Sequence, residues 1–202
     1  MSREHPLSPH RIAIAAVVLL LTAIAFLAVR GPAWWQRQYY PLEYAGIIGV
    51  VSAEHGVDPY LVSALINAES GFDASEVSHA GAIGLMQVMP ETAAEVAREW
   101  GLLSATDTQA LLRPELNIDI GTRHLAALIE RYGDPAVALA AYNAGEGSVD
   151  RWIEESGKSG VLAAAYPETR RYVRRVLQER DRYAALYPDA FGGTPASEGT
   201  DE

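Results

Sequence analysis

Four prolines, Pro59, Pro90, Pro135 and Pro167, each open a stretch of this chain in which apolar residues recur at helical spacing. Proline fits the first turn of a helix because its fixed φ suits that position and its missing N–H is not needed there. Two of the four follow an aspartate, Asp58 and Asp134, whose carboxylates can accept from the free N–H groups of the first turn. Glycines supply the stops: Gly56 after the stripe Tyr44, Ile47, Ile48 and Val51, Gly71 after Ser70, and Gly101 after the helix begun at Pro90. Asn117 is expected to cap a helix carrying Ile120, Leu125, Leu128 and Ile129. The helix from Pro135 should end near Asn143, and a further one should run from Gly147 to Ser156. Residues 72–89 read as an irregular, glycine-rich loop. No alternating run is long enough for a convincing strand, and no internal repeat is present. The expected fold class is therefore all-α, with one compact domain over residues 44–188.

A second constraint sits near the N-terminus. Ile12 to Val29, IAIAAVVLLLTAIAFLAV, has no charge and one Thr, and Arg11 and Arg30 bracket it. As a helix it would be about 27 Å long, close to the ~30 Å hydrocarbon core of a bilayer. Signal-peptide apolar regions usually run shorter, about 7–15 residues. Trp34, Trp35, Tyr39 and Tyr40 follow, as expected at a membrane–water interface. Residues 12–29 are read as a single uncleaved anchor, with a cleaved signal as the competing reading. Residues 1–11 would then be cytoplasmic, 30–43 a linker, and 189–202 a disordered acidic tail. Basic residues flank both sides, so charge does not set the orientation, which must follow from where the substrate is. That argument places the anchor in the inner membrane and the folded domain in the periplasm.

Composition removes several function classes. The formal net charge is −10, and because residues 1–30 carry a net +2, the remainder is still more acidic. A nucleic-acid surface needs a basic stripe, so none is expected. There is no cysteine, which excludes disulfides, thiolate catalysis and attachment through a lipidated Cys. His55, His79 and His124 lack ligand-like spacing, and each is expected to be a surface or capping residue.

One carboxylate stands out. Val62, Ile66 and Glu69 share a helix face, so Glu69 extends an apolar stripe. It also occupies the last helical turn, where the dipole disfavours an anion. Both effects raise a carboxyl pKa, and a carboxylic acid kept protonated near neutrality is what a general acid requires. Downstream, Gly81 and Gly84 surround the apolar segment holding Gln87. The expectation there is a loop with accessible N–H and C=O groups and an amide beside the acid. Leu85, Met86 and Met89 could instead plug the core, most plainly Met89. Tyr142 and Asn143 then close an apolar helix before a glycine-rich turn.

Taken together, ES (69–70), GLMQ (84–87), AYN (141–143) and YPETRRYVRRVL (166–177) resemble the catalytic domain of soluble, lysozyme-like lytic transglycosylases over roughly residues 44–187. The resemblance implies a lysozyme-like fold and assigns Glu69 as catalytic acid/base, with Ser70 as its partner in the pair. It places Ser78, Gly81 and Ala82 in a loop bordering the cleft, Met86 and Gln87 along the sugar sites, and Tyr142 and Asn143 beside the glutamate. Glu168, Thr169 and Tyr172 match the E-T-x-x-Y that opens the last helix, with the Glu near the sugar. The chain departs from the family at its N-terminus, where a bare hydrophobic segment replaces a helical superstructure or a lipoprotein cysteine. The implied substrate is the glycan strand of peptidoglycan, and no metal or cofactor is called for. The implied reaction leaves 1,6-anhydro-N-acetylmuramic acid ends. A hydrolytic lysozyme or chitinase would want a second carboxylate, most plausibly Asp73, and a non-catalytic wall-binding module would not need Glu69.

Overall fold

The computed structural model describes residues 9–100 and 109–192. The chain divides into two units, residues 1–41 and 42–202. In the first, helix α1 spans Pro9–Arg30, and its window His10–Leu27 is long and apolar enough to cross a membrane. The side chains from Ile12 to Leu27 are exposed. Thr22, the one polar residue among them, donates its hydroxyl within the helix to the carbonyls of Val18 and Leu19, each at 2.9 Å. Its polar group is thus satisfied without water, as a hydrocarbon environment demands. The expected linker contains a short helix, α2 (Ala33–Gln36), which presents Trp34 and Trp35 with ring centroids 5.9 Å apart.

The second unit is helical throughout, with no strand among its described residues and only isolated bridges at Val77–Ile83 and Ile83–Val88. Its long helices are α3 (Ala45–His55), α4 (Pro59–Glu69), α5 (Pro90–Trp100), α6 (Pro114–Tyr132), α7 (Pro135–Ala144) and α8 (Glu146–Ser156). The short α9 (Val161–Ala164) leads to the last helix, α10 (Pro167–Leu186). Asp58 and Asp134 cap as expected, accepting from Tyr60 N at 2.9 Å and Ala136 N at 2.8 Å. The centre of the domain is α4, buried at every residue from Leu61 to Asn67. A helix apolar on nearly all sides belongs inside a fold, and α4 packs against α10 and α3. Leu65 and Ile66 are fully buried, and each such side chain stabilises the fold by about 1.5–3 kcal/mol.

Two boundaries differ from expectation. Helix α6 starts at Pro114, so Asn117 is an interior helical residue and not a cap. Its amide is fully buried and turned toward the loop before α5, an arrangement that local capping rules do not anticipate. The first residues of the supposed disordered tail are also ordered. Phe191 packs edge-on against Tyr60, with ring centroids 5.0 Å apart, and the Tyr60 hydroxyl donates to Tyr187 O at 2.7 Å and to Pro188 O at 3.1 Å. Gly101, the expected stop of α5, and the rest of the tail lie outside the described residues.

Candidate active site

Glu69 is the last residue of α4 and is half-buried where α4 meets α10. The Tyr172 hydroxyl donates to Glu69 Oε1 at 2.5 Å. Burial raises the Glu69 carboxyl above its usual range, while the Tyr172 hydrogen bond and the Arg175 guanidinium pull it part of the way back. Burial and the nearby Glu69 charge together hold the Tyr172 phenol well above its ordinary value, so it stays a donor. Two of the residues singled out in the sequence, 103 positions apart, thus meet in one hydrogen bond.

The loop beside them is closed on itself. Ser78 N donates to Ala82 O at 2.9 Å, Ala82 N to Ser78 Oγ at 3.0 Å, and Gly81 N to Ser78 O at 2.9 Å. From Ile83 to Met86 every carbonyl has a partner: Asn117 Nδ2 on Ile83 O (2.8 Å), Gln87 Nε2 on Gly84 O (2.9 Å), Ser70 Oγ on Leu85 O (2.9 Å) and the Tyr142 hydroxyl on Met86 O (2.8 Å). The expectation of accessible N–H and C=O groups along this stretch is therefore corrected in one respect: each of these four carbonyls already has a partner within the fold. Buried backbone polar groups must pair, and this loop uses Ser70, Gln87 and Tyr142 to do so. Gln87 takes a left-handed φ of +48° and its Nε2 also reaches Glu76 O at 3.2 Å, so the amide donor braces the loop.

Met86 is a second correction. Its side chain is fully buried, and a Cβ on Gly121 would come within 2.6 Å of its sulfur, so it fills the core and cannot line a sugar site. Met89 is the reverse case, 37% exposed where a core position was expected. Asn143 and Glu168 are exposed and form no hydrogen bond with Glu69. Asp73 is exposed too, and the Ser75 hydroxyl and backbone N–H that donate to it hold its carboxyl below the usual range.

Three residues, Asn67, Arg175 and Glu179, escaped the sequence reading, and Asn117 was read only as a cap. Asn117 ties α6 to the loop, and Asn67 donates to Glu179 Oε2 at 2.9 Å. Arg175 in turn donates from Nε to Glu179 Oε1 at 2.8 Å. The i,i+4 spacing of Arg175 and Glu179 was visible, but the buried position of Glu179 was not. His124, expected at the surface, is half-buried against the Tyr142 ring at 5.3 Å between centroids, and burial lowers its pKa. His55 joins Asp119 at 3.1 Å, with Glu54 beside it, which brings three possible metal donors within 4.8 Å of one another. Asp119 Oδ1 also accepts from Arg123 Nε at 2.9 Å, so a fixed cation already serves that carboxylate. The cluster is a hydrogen-bonded tie between α3 and α6.

Fold and buried acid together define a lysozyme-like helical domain. The chain belongs to the transglycosylase SLT domain family, whose model matches residues 47–164. It is 32% identical over 165 residues to the soluble lytic murein transglycosylase of Escherichia coli K12, covering 79% of this chain and 25% of that one. It is 33% identical over 172 residues to the membrane-bound lytic murein transglycosylase C of Actinobacillus pleuropneumoniae, covering 73% and 46%. An inactive mutant of the Pseudomonas aeruginosa lytic transglycosylase Slt superposes with a TM-score of 0.70 at 27% identity, over 83% of this chain and 28% of that one. A 70-kDa soluble lytic transglycosylase in complex with bulgecin A superposes with a TM-score of 0.71 at 29% identity, over 80% and 27%. The chain spans between a quarter and a half of the length of these curated relatives.

Proposed function

We propose that this protein is a peptidoglycan lytic transglycosylase that cleaves the β-1,4 bond between N-acetylmuramic acid and N-acetylglucosamine without consuming water. The observation that carries this reading is the half-buried Glu69, against which Tyr172 and Arg175 are set and, among the described residues, no second carboxylate. Among the described residues the one buried charged side chain is Glu179, and it is locked between Arg175 and Asn67. Ordinary glycosidases need two carboxyl groups about the bond. One is enough when the substrate supplies the nucleophile.

Protonated Glu69 gives its proton to the glycosidic oxygen as the C1–O bond breaks. The 2-acetamido oxygen of the muramic residue attacks C1 and forms an oxazolinium ion. The Glu69 carboxylate then takes the proton from the C6 hydroxyl, whose oxygen closes on C1 and expels the acetamido oxygen. This returns protonated Glu69 and a 1,6-anhydro end. The Tyr142 hydroxyl, its proton committed to Met86, retains lone pairs for a sugar N–H, and the Gln87 carbonyl oxygen does likewise. Ser78, Gly81, Ala82, Asn143 and Glu168 form the polar surroundings of the glycan strand in this reading. The test is mass analysis of products from purified sacculi digested by the full chain in detergent. Products lighter by one water than their reducing-end counterparts are expected; new reducing ends would show a hydrolase instead.

The same reading places α1 as a single-pass anchor in the inner membrane, with the SLT domain in the periplasm, where the substrate is. The length and exposure of the apolar helix and the Trp34–Trp35 pair just beyond it support this. On fractionation the full chain is expected in the membrane pellet, resistant to high salt and released by detergent. A soluble species beginning near residue 30 would show a cleaved signal.

A further inference from the structure

Glu69 must be an acid in one half of this reaction and a base in the other, yet its surroundings favour the neutral form. Something has to make the carboxylate tolerable between the two steps. The titratable groups that face it are Tyr172 and Arg175 from α10 and Tyr142 from α7. Both phenols are held well above their ordinary values and stay neutral, so Arg175 is the one charge among these groups.

We propose that Arg175 is a positioning residue for the reaction: clamped by Glu179, which Asn67 holds in turn, its guanidinium stabilises the carboxylate form of Glu69 after the proton has left. The clamp is what turns a surface arginine into a fixed charge. The Arg175 side chain is 53% exposed, and unrestrained it would spread over many rotamers and count for little. Glu179 is buried and holds Arg175 Nε at 2.8 Å, while Arg175 Nη2 lies 3.5 Å from Asn67 O. Asn67 donates to the other Glu179 oxygen at 2.9 Å. Asn67 is two residues before Glu69 on α4, so the clamp grips the same helical turn that carries the acid. Helices α4 and α10 are thus joined twice at this point, once through Tyr172 and Glu69 and once through Asn67, Glu179 and Arg175. The planar fork of arginine suits the second joint, because one nitrogen serves Glu179 while another faces α4.

The chemical consequence follows from sign. Removing the positive charge destabilises the Glu69 carboxylate, so the acid keeps its proton to higher pH and gives it up less readily. R175Q is therefore expected to raise the titration midpoint of the Glu69 side-chain carboxyl, followed by 13C NMR and assigned by its absence in E69Q. The alkaline limb of kcat against pH should move up with it. kcat at neutral pH should fall on the order of tenfold with KM unchanged, a fraction of the ~10²–10⁴-fold that general acid–base catalysis supplies. R175K, which restores the charge without the fork, should recover part of the shift. A merely structural role would lower the Tm and leave the midpoint of R175Q where it is in the wild type, and that result would overturn the proposal. The kinetic arm rests on the lytic reading, but the carboxyl titration does not. If sacculi yielded no anhydro ends, that reading would fail while the titration still decided the role of Arg175.

Discussion

Glu69→Gln is expected to lower the rate of anhydro-end formation at least about 10²-fold while the fold is kept, since general acid–base catalysis is worth ~10²–10⁴-fold. Glutamine preserves the volume and an oxygen that can accept from Tyr172, but it cannot lend and recover a proton. A variant retaining more than about a hundredth of the wild-type rate would show that the proton comes from elsewhere. The stability arm has the opposite sign. The folded pKa of Glu69 is raised, so between the unfolded and folded values the native state binds more protons than the unfolded one. Stability therefore declines as pH rises through that window, a cost the wild type bears at every pH above the unfolded value. Glutamine removes it, so the Tm of Glu69→Gln at pH 7 should equal or exceed that of the wild type. An inactive variant with a lower Tm would instead point to a lost structural contact. Gains in stability from removing an active-site group are expected wherever function requires a disfavoured state.

What the sequence made legible was chemistry acting within a few residues. Proline and capping aspartate at Asp58-Pro59 and Asp134-Pro135, and glycine after His55, describe backbone needs that hold wherever the helix ends up. The setting of Glu69 is legible for the same reason, because face and helix position are properties of one segment. What stayed hidden depends on partners far along the chain. Asn117 bonds to Met86 across 31 residues, and Asn67 to Glu179 across 112. Nothing local marks those side chains as buried. The resemblance set Met86 along the sugar sites, whereas the apolar run it sits in allowed a core position, and the space it fills exists only because Gly121 lacks a Cβ. The family resemblance paired Ser70 with the acid, set Tyr142 and Asn143 beside it, and left Tyr172 in the motif that opens the last helix. The structure adds that Ser70 and Tyr142 hold the loop in place while Tyr172 holds the acid itself.

The loop's dependence on one amide gives the second large effect. Asn117 is fully buried, and its side chain makes three hydrogen bonds, each at 2.8 Å: Oδ1 accepts from Met86 N, and Nδ2 donates to Ile83 O and Leu111 O. Gly84 is shaped to this amide. It sits at φ +74°, and a Cβ there would lie 2.5 Å from Asn117 Nδ2. Asn117→Ala would strand the Met86 N–H and the Leu111 carbonyl and open a void beside Gly84. Each buried group left unpaired costs about 1–3 kcal/mol, so a total loss of about 3–5 kcal/mol is expected, a large share of the ~5–15 kcal/mol that holds a domain together. Urea unfolding followed by circular dichroism would read this as a drop in midpoint with an unchanged slope. Activity should fall as well, because the carbonyls that Ser70 and Tyr142 grip would no longer be held where those hydroxyls can reach them. Asn117→Asp separates polarity from pairing: it is nearly isosteric and polar, but as a carboxylate it would face the Ile83 and Leu111 carbonyls with no proton to give. It should therefore be destabilised at neutral pH as badly as the alanine variant. Were either variant to lose less than about 1 kcal/mol, water or a rearranged loop would be satisfying those groups, and Asn117 would not be what fixes the loop beside Glu69.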